Sequence, residues 1–161
     1  MKPQTEIRYI LVPHDFSEPG EGALDLALDL AKKLGARITI LHTYEVVPYA
    51  YTENLMDTGR VLREIGQLAR HALDAAVRRA AATGVEVTSE LRMGPAREQI
   101  VAYASDPDAK VDLIVMATHG RRGMARFLIG SVAEGVVRTA PCPVLTFRPP
   151  QPASGGPAHH G

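Results

Sequence analysis

Short apolar runs rich in β-branched residues alternate strictly with longer segments whose apolar positions recur every three or four residues. No other feature constrains the possible folds of this chain as tightly. A strand followed by an amphipathic helix cannot return as a hairpin; the helix must cross a sheet face, and successive strands then run parallel. Such crossovers are right-handed, and they leave helices on both faces of the sheet. The expectation is an α/β fold, a three-layer doubly wound parallel sheet of five strands.

The first run, Ile7–Val12, stops at Pro13-His14-Asp15-Phe16-Ser17, where proline removes a ladder donor and Asp and Ser favour turns and helix caps. Ala23, Leu24, Ala27, Leu28, Ala31 and Leu34 make the apolar stripe of a helix, with Glu18 and Glu21 near its positive end and Gly35 as its stop. Ala36–Thr43 is the second strand. An irregular connection from Tyr44 to about Thr58 holds Tyr44, Tyr49 and Tyr51, three of the five tyrosines. A long helix from about Gly59 to Thr83 carries Leu62, Ile65, Ala69, Ala72 and Ala76 on one stripe. Val85–Arg92 alternates apolar and polar residues, as an edge strand with one exposed face does. Gly94-Pro95 opens a third helix, Leu113–Met116 forms the fourth strand, Ser131 to about Thr139 the last helix, and Pro143–Phe147 the fifth strand. Residues 1–148 read as one domain, and the Pro/Gly-rich tail 149–161, which ends in His159-His160-Gly161, is expected to be disordered.

The totals set the class of partner. A chain of 161 residues builds a core without disulfides or metals. Lys+Arg and Asp+Glu balance at 18 each, so net charge gives no argument for nucleic acid or a membrane surface. The lone Cys142 cannot form an internal disulfide, the N-terminal residues hold no apolar leader, and no run is long enough to span a bilayer. A cytoplasmic protein with no nucleic-acid and no membrane partner is expected.

The chemistry concentrates at Asp112–Glu134. An apolar strand there breaks into a glycine-punctuated, arginine-bearing loop and closes on Gly130-Ser131-Val132-Ala133-Glu134, a Ser-x-x-Glu pattern that reads as a helix capping box. Strand, flexible loop and helix start, in that order, suit an anion: glycines let backbone N–H groups approach a phosphate, and the helix dipole favours negative charge. In doubly wound sheets ligands bind beyond the carboxyl ends of the strands, where strand order reverses. The turns leaving the first and fourth strands are therefore expected to be neighbours.

Other groups are ambiguous by themselves. Asp15 can accept hydrogen bonds from a ribose or brace the following turn. Arg121, Arg122 and Arg126 either offset phosphate charge or keep an exposed segment solvated. Ser131 can cap its helix and also meet a phosphate oxygen. The tyrosines of the long connection either cover a base or pack and face solvent. His14 and His119 have no partner at metal-ligand spacing, so no metal site is assigned. Cys142, between two prolines, reads as a small buried residue.

No GxxxxGK[ST] loop is present. A partial dinucleotide fingerprint, Gly20-Glu21-Gly22-Ala23-Leu24-Asp25, lacks its third glycine and begins beyond the strand end. The dinucleotide reading, with Glu45 as ribose ligand, is set aside on that ground. No nucleophile elbow, triad or paired acid/base carboxylates are recognisable. Catalytic residues are therefore not assigned, and binding is favoured over enzymatic turnover.

Several blocks in order resemble the universal stress protein family, over about residues 7–148, and specifically its nucleotide-binding branch. They are Ile10-Leu11-Val12-Pro13-His14-Asp15-Phe16-Ser17, the loop Ala117-Thr118-His119-Gly120 followed by nine residues and Gly130-Ser131, and Ala140-Pro141-Cys142-Pro143-Val144-Leu145. The resemblance implies strand order 3-2-1-4-5, the Rossmann-like fold of the adenine-nucleotide α-hydrolase type, and a homodimer. It implies ATP, with or without Mg²⁺, between the ends of strands one and four, and at most slow hydrolysis. By it Asp15 meets the ribose or adenine side, Pro13 and Thr43 flank the base, and Met116 and Ala117 lie beneath the nucleotide. Gly120, Gly130, Ser131 and Val132 surround the phosphates, Gly94 approaches the ribose or phosphates, and His14, His119, Arg121 and Gly123 complete the binding set. Ala117 stands where the family pattern has glycine, which is tolerable wherever φ is negative. Val144, Leu145 and Phe147 on the last strand, an edge in this order, are the expected dimer contact. The rival reading is a nucleotide-independent dimeric interaction protein of the same fold.

Overall fold

β1 (Tyr9–Pro13) lies at the centre of a sheet completed by β2 (Arg37–Tyr44), β3 (Val87–Met93), β4 (Leu113–Ala117) and β5 (Val144–Phe147). The order is β3-β2-β1-β4-β5 with every pair parallel. The connections are α1 (Glu18–Leu34), α2 (Leu55–Ala81), α3 (Ala96–Ser105) and α4 (Ser131–Thr139). The computed structural model describes residues 6–45, 55–119 and 129–150. The five-stranded doubly wound sheet and its order are those expected from the sequence.

α1 shows why the local sequence commits. Ser17 is its N-cap and accepts the Gly20 N–H at 3.2 Å, Pro19 sits in the first turn, and Gly35 closes the helix in the left-handed conformation at φ 66°. Glu18 and Glu21 at the start and Lys32 and Lys33 at the end complement the helix dipole.

Alternate strand residues feed two cores, as the period of two requires. Ile10, Val12, Ile38, Ile40 and Val115 pack with Leu24 and Leu28 of α1 and Leu73 of α2. Leu11, Leu41, Ile114 and Met116 pack on the other face with Ile100 of α3 and Val136 of α4. Each fully buried Leu or Ile stabilises the fold by about 1.5–3 kcal/mol relative to exposure.

α2 begins four residues before the expected Gly59 and runs 27 residues. Glycine punctuation is a weak boundary inside an amphipathic stretch whose packing outweighs propensity. Gly66, also within it, lies against Tyr44: a Cβ there would be 3.3 Å from the Tyr44 hydroxyl. The expected tail lies outside the described residues from 151 onward. Among the described residues no helix is long and apolar enough to cross a membrane.

β5 is an edge strand, but its side chains divide. Val144 joins the α3/α4 core, Phe147 lies over Gly22 of α1, and Leu145 remains 38% exposed.

Candidate functional site

β1 and β4 are registered at only two positions, Ile10 with Leu113 and Leu11 with Ile114. Beyond them β1 continues along β2 to Pro13 opposite Leu41, while β4 continues along β5 to Ala117 opposite Phe147. Strands that part at their carboxyl ends leave a crevice, and here it is a cleft of about 450 Å³. Pro13, Asp15, Leu41 and Thr43 form one wall, Met116 through His119 the floor, and Ala96, Ile100 and Gly130 through Ala133 the far side. The volume lies within the range of small-molecule sites.

The loop after β4 is pinned at its base. Thr118 donates its N–H to Phe147 O at 2.9 Å, and its carbonyl accepts the Gly130 N–H at 2.7 Å. Gly130 is the α4 N-cap in extended geometry (φ −60°, ψ 151°), and its carbonyl takes the first helical bond from Glu134 N–H. The expected Ser131–Glu134 capping box therefore does not form, because the helix starts at Ser131 itself, one residue earlier relative to serine than that motif needs. Ser131 occupies the first helical turn, exposed and lining the cleft, and no side chain caps this helix end. The start of α4 thus presents N–H groups, the positive end of its dipole and the Ser131 hydroxyl to the cleft.

The opposite wall is a strained turn. Asp15 Oδ1 accepts the Ser17 N–H at 3.1 Å and the Ser17 hydroxyl. Phe16 has φ 60°, unusual for a residue with a bulky side chain. His14 N–H donates to Leu41 O at 2.8 Å, and the Phe16 N–H donates to His14 Nδ1 at 3.0 Å. His14 is 4% exposed, and its ring lies beside Phe16 and Glu21 of α1. Burial holds its pKa below the ordinary histidine value; Glu21 and Asp15 work against that shift, while Arg79 and His42 add to it.

The structure brings together at one cleft Pro13, His14, Asp15, Thr43, Met116, Ala117, His119, Gly130, Ser131 and Val132. Gly94 stands apart from it: its N–H donates to Tyr44 O at 3.0 Å, and its φ of 132° makes glycine the fitting residue there for reasons of backbone geometry. Gly120, Arg121 and Gly123, with Arg122 and Arg126, lie outside the described residues, as do Tyr49 and Tyr51. Tyr44 meets α2 at Gly66 and does not line the cleft. Ala117 is not among the positive-φ residues, so the methyl group replacing the family's glycine brings no backbone strain. Cys142 is half-buried, and burial, reinforced by the charge of Asp112, raises its thiol pKa. Among the described residues no group of His, Cys, Asp and Glu is arranged to hold a metal.

Sequence reasoning passed over Leu41, Ala96, Ile100 and Ala133, whose types signal only core packing, and gave Thr118 no role although it lies within the loop block. Gly20 had a signal that pointed elsewhere. A Cβ there would sit 2.8 Å from Asp15 Oδ1, and one on Gly22 would overlap the Phe147 ring. The two glycines of the partial fingerprint are thus close-approach positions in α1.

Comparison with known proteins agrees with this architecture. The Universal stress protein family profile matches residues 6–148. A universal stress protein of Methanocaldococcus jannaschii is 34% identical over 145 residues, covering 88% of this chain and 82% of that protein. The UspA structure from Lactobacillus plantarum superposes with a TM-score of 0.76 at 27% identity, covering 89% of this chain and 99% of that one. A universal stress protein from Archaeoglobus fulgidus, determined in complex with dAMP, shares the fold with a TM-score of 0.61 at 21% identity, covering 88% and 98%. A sheet ordered 3-2-1-4-5, a cleft at its switch point and a family match over nearly the whole described chain lead to one assignment: the chain belongs to the universal stress protein family.

Proposed function

We propose that the chain binds an adenine nucleotide, ATP in the first instance, in the cleft between β1 and β4. In this reading it acts as a nucleotide-dependent stress-response or signalling homodimer in the cytoplasm. The observation that carries the reading is the start of α4, which has Gly130 as N-cap, lacks a side-chain cap and lines the cleft together with the Asp15 turn. An N-terminal helix turn suits phosphate oxygens, a carboxylate suits ribose hydroxyls, and an apolar slot of Pro13, Leu41, Ile100 and Met116 suits a base. The dAMP complex of the A. fulgidus protein supports the capacity of this fold for an adenine nucleotide.

Gly130, Ser131 and Val132 hold the phosphates in this reading, joined by Gly120, Arg121 and Gly123 of the preceding loop. Pro13 and Thr43 flank the base, and Met116, Ala117 and His119 form the floor. Mg²⁺ accompanies the phosphates as a counter-ion that the ligand itself brings. Hydrolysis is slow at most, because no residue is assigned as general base or arginine finger. The β5 edge, with Leu145 exposed on it, is the proposed dimer contact.

Isothermal titration with ATP, with and without Mg²⁺, tests the reading, together with mass spectrometry of nucleotide carried through purification. Heat of binding and a rise in melting temperature are expected, since ligand at a hundredfold excess over Kd stabilises by about 2.7 kcal/mol. No heat and no thermal shift at millimolar ATP would leave the nucleotide-independent interaction protein as the better reading.

A further inference from the structure

We propose that His14 is a positioning residue for Asp15: its neutral ring holds the Asp15–Ser17 turn against the cleft, and a second ring proton unlocks that turn. The turn on the cleft wall holds a strained residue. Phe16 sits at φ 60°, which a residue with a Cβ adopts only when its surroundings enforce it.

The enforcement is visible. The Phe16 ring packs between His14 and His42, at centroid distances of 5.3 and 4.3 Å. His42 Nδ1 lies 2.7 Å from His14 O; a carbonyl can only accept, so His42 donates there. The Phe16 N–H donates to His14 Nδ1 at 3.0 Å, which obliges that nitrogen to be unprotonated and places the proton of the neutral ring on Nε2.

Nε2 is buried and makes no hydrogen bond. It lies 3.4 Å from Glu21 Oε1, and Glu21 Oε2 is held by Arg79 of α2. A second proton would have to enter at Nδ1, setting two N–H donors against each other. Phe16 would lose its hydrogen bond, and the charged ring would be drawn toward Glu21.

The charged and titratable groups around the ring are Glu21 of α1 and Asp15 of the turn, which favour the proton, and Arg79 of α2 and His42 of β2, which oppose it. Asp25 acts only through its bond to Arg79. Desolvation outweighs the two carboxylates, so the ring is neutral at pH 7 and the turn unlocks in acid.

Consequences for ligand affinity rest on the adenine-nucleotide reading above; the unlocking itself does not. The test follows Phe16 amide exchange in the free protein from pH 7.5 to 5, and ATP affinity across the same range. Phe16 protection is expected to fall as His14 titrates. ATP affinity is expected to weaken roughly ten- to a hundredfold, the worth of hydrogen bonds to a charged group. His14→Asn keeps an acceptor near the Nδ1 position and cannot titrate, so its Phe16 protection is expected to stay flat with pH and its affinity to change only with the titration of ATP. The wild-type to His14→Asn ratio at each pH cancels the titration of ATP itself. Phe16 protection unchanged through the His14 titration, or His14→Asn keeping the wild-type pH profile, overturns the inference. ATP bound with a wild-type to His14→Asn affinity ratio that is constant across the pH range likewise overturns it and leaves the nucleotide reading intact. A Phe16 transition removed by His14→Asn, with ATP bound at no pH, supports the inference and defeats the nucleotide reading.

Discussion

The carbonyl oxygen of Thr118 accepts the Gly130 N–H at 2.7 Å, and the same oxygen would lie 3.0 Å from a Cβ at position 130. One contact thus closes the base of the loop after β4, orients the start of α4, and excludes a side chain from the N-cap. Gly130→Val is expected to abolish ATP binding at millimolar ligand, and Gly130→Ala to weaken it by about tenfold or more, since a crowded contact costs about 1–3 kcal/mol. Calorimetric titration of both variants checks this. Normal affinity in the valine variant would mean the phosphates lie elsewhere.

Gly20 separates stability from binding. Alanine is better than glycine inside a helix by about 1 kcal/mol, but its Cβ would press on Asp15 Oδ1 from 2.8 Å. Gly20→Ala should therefore fold with a melting temperature close to the wild type while losing about tenfold in ATP affinity. An unchanged Kd would show that the Asp15 carboxylate can shift without consequence for the ligand.

Gly22 tests packing alone. Any side chain there overlaps the Phe147 ring, so Gly22→Ala should destabilise by about 1–3 kcal/mol in urea denaturation. Pairing it with Phe147→Leu should recover part of that loss, because the two sites share one space. Strict additivity of the two changes would contradict the contact.

Stability should fall in acid through His14. Burial lowers its folded-state pKa below the ordinary value near 6.5, so below that pH the unfolded chain binds more protons than the folded one. This contribution is flat above about pH 6.5 and is lost progressively as pH drops toward the depressed folded-state value. Thermal melts of wild type and His14→Asn between pH 7.5 and 5 should diverge, with the wild type losing more. Parallel curves would place the acid sensitivity in other groups.

The dimer prediction concerns Leu145 more than its neighbours. Val144 and Phe147 are engaged within the chain, whereas Leu145 is 38% exposed on the edge strand. Leu145→Lys should shift a micromolar dimer toward monomer in sedimentation velocity with little loss of stability, because charge on an edge opposes strand pairing. A wild-type monomer at that concentration would remove the proposal.

The sequence by itself determined the class and order of elements, because alternation of strand-period and helix-period runs forces parallel crossovers, a local property of the chain. Ser17 and Gly35 marked the ends of α1 correctly, since caps are set by short-range geometry. The Asp15 turn and the Ser131 helix start were legible as neighbours because switch-point topology brings together strand ends distant in sequence, whereas Thr43 and Met116 entered only through the family resemblance.

What only the tertiary structure decided are relationships across the sheet. Sequence could not tell that Gly20 and Gly22 make room for Asp15 and Phe147, that Tyr44 meets α2, or that Gly130 takes the capping place assigned to Ser131. Nor could it show that the His14 ring lies against Glu21 while its backbone N–H bonds to Leu41 of β2. Each depends on which face a side chain leaves and what stands opposite it. A one-residue change of register reverses that, while composition and spacing stay the same.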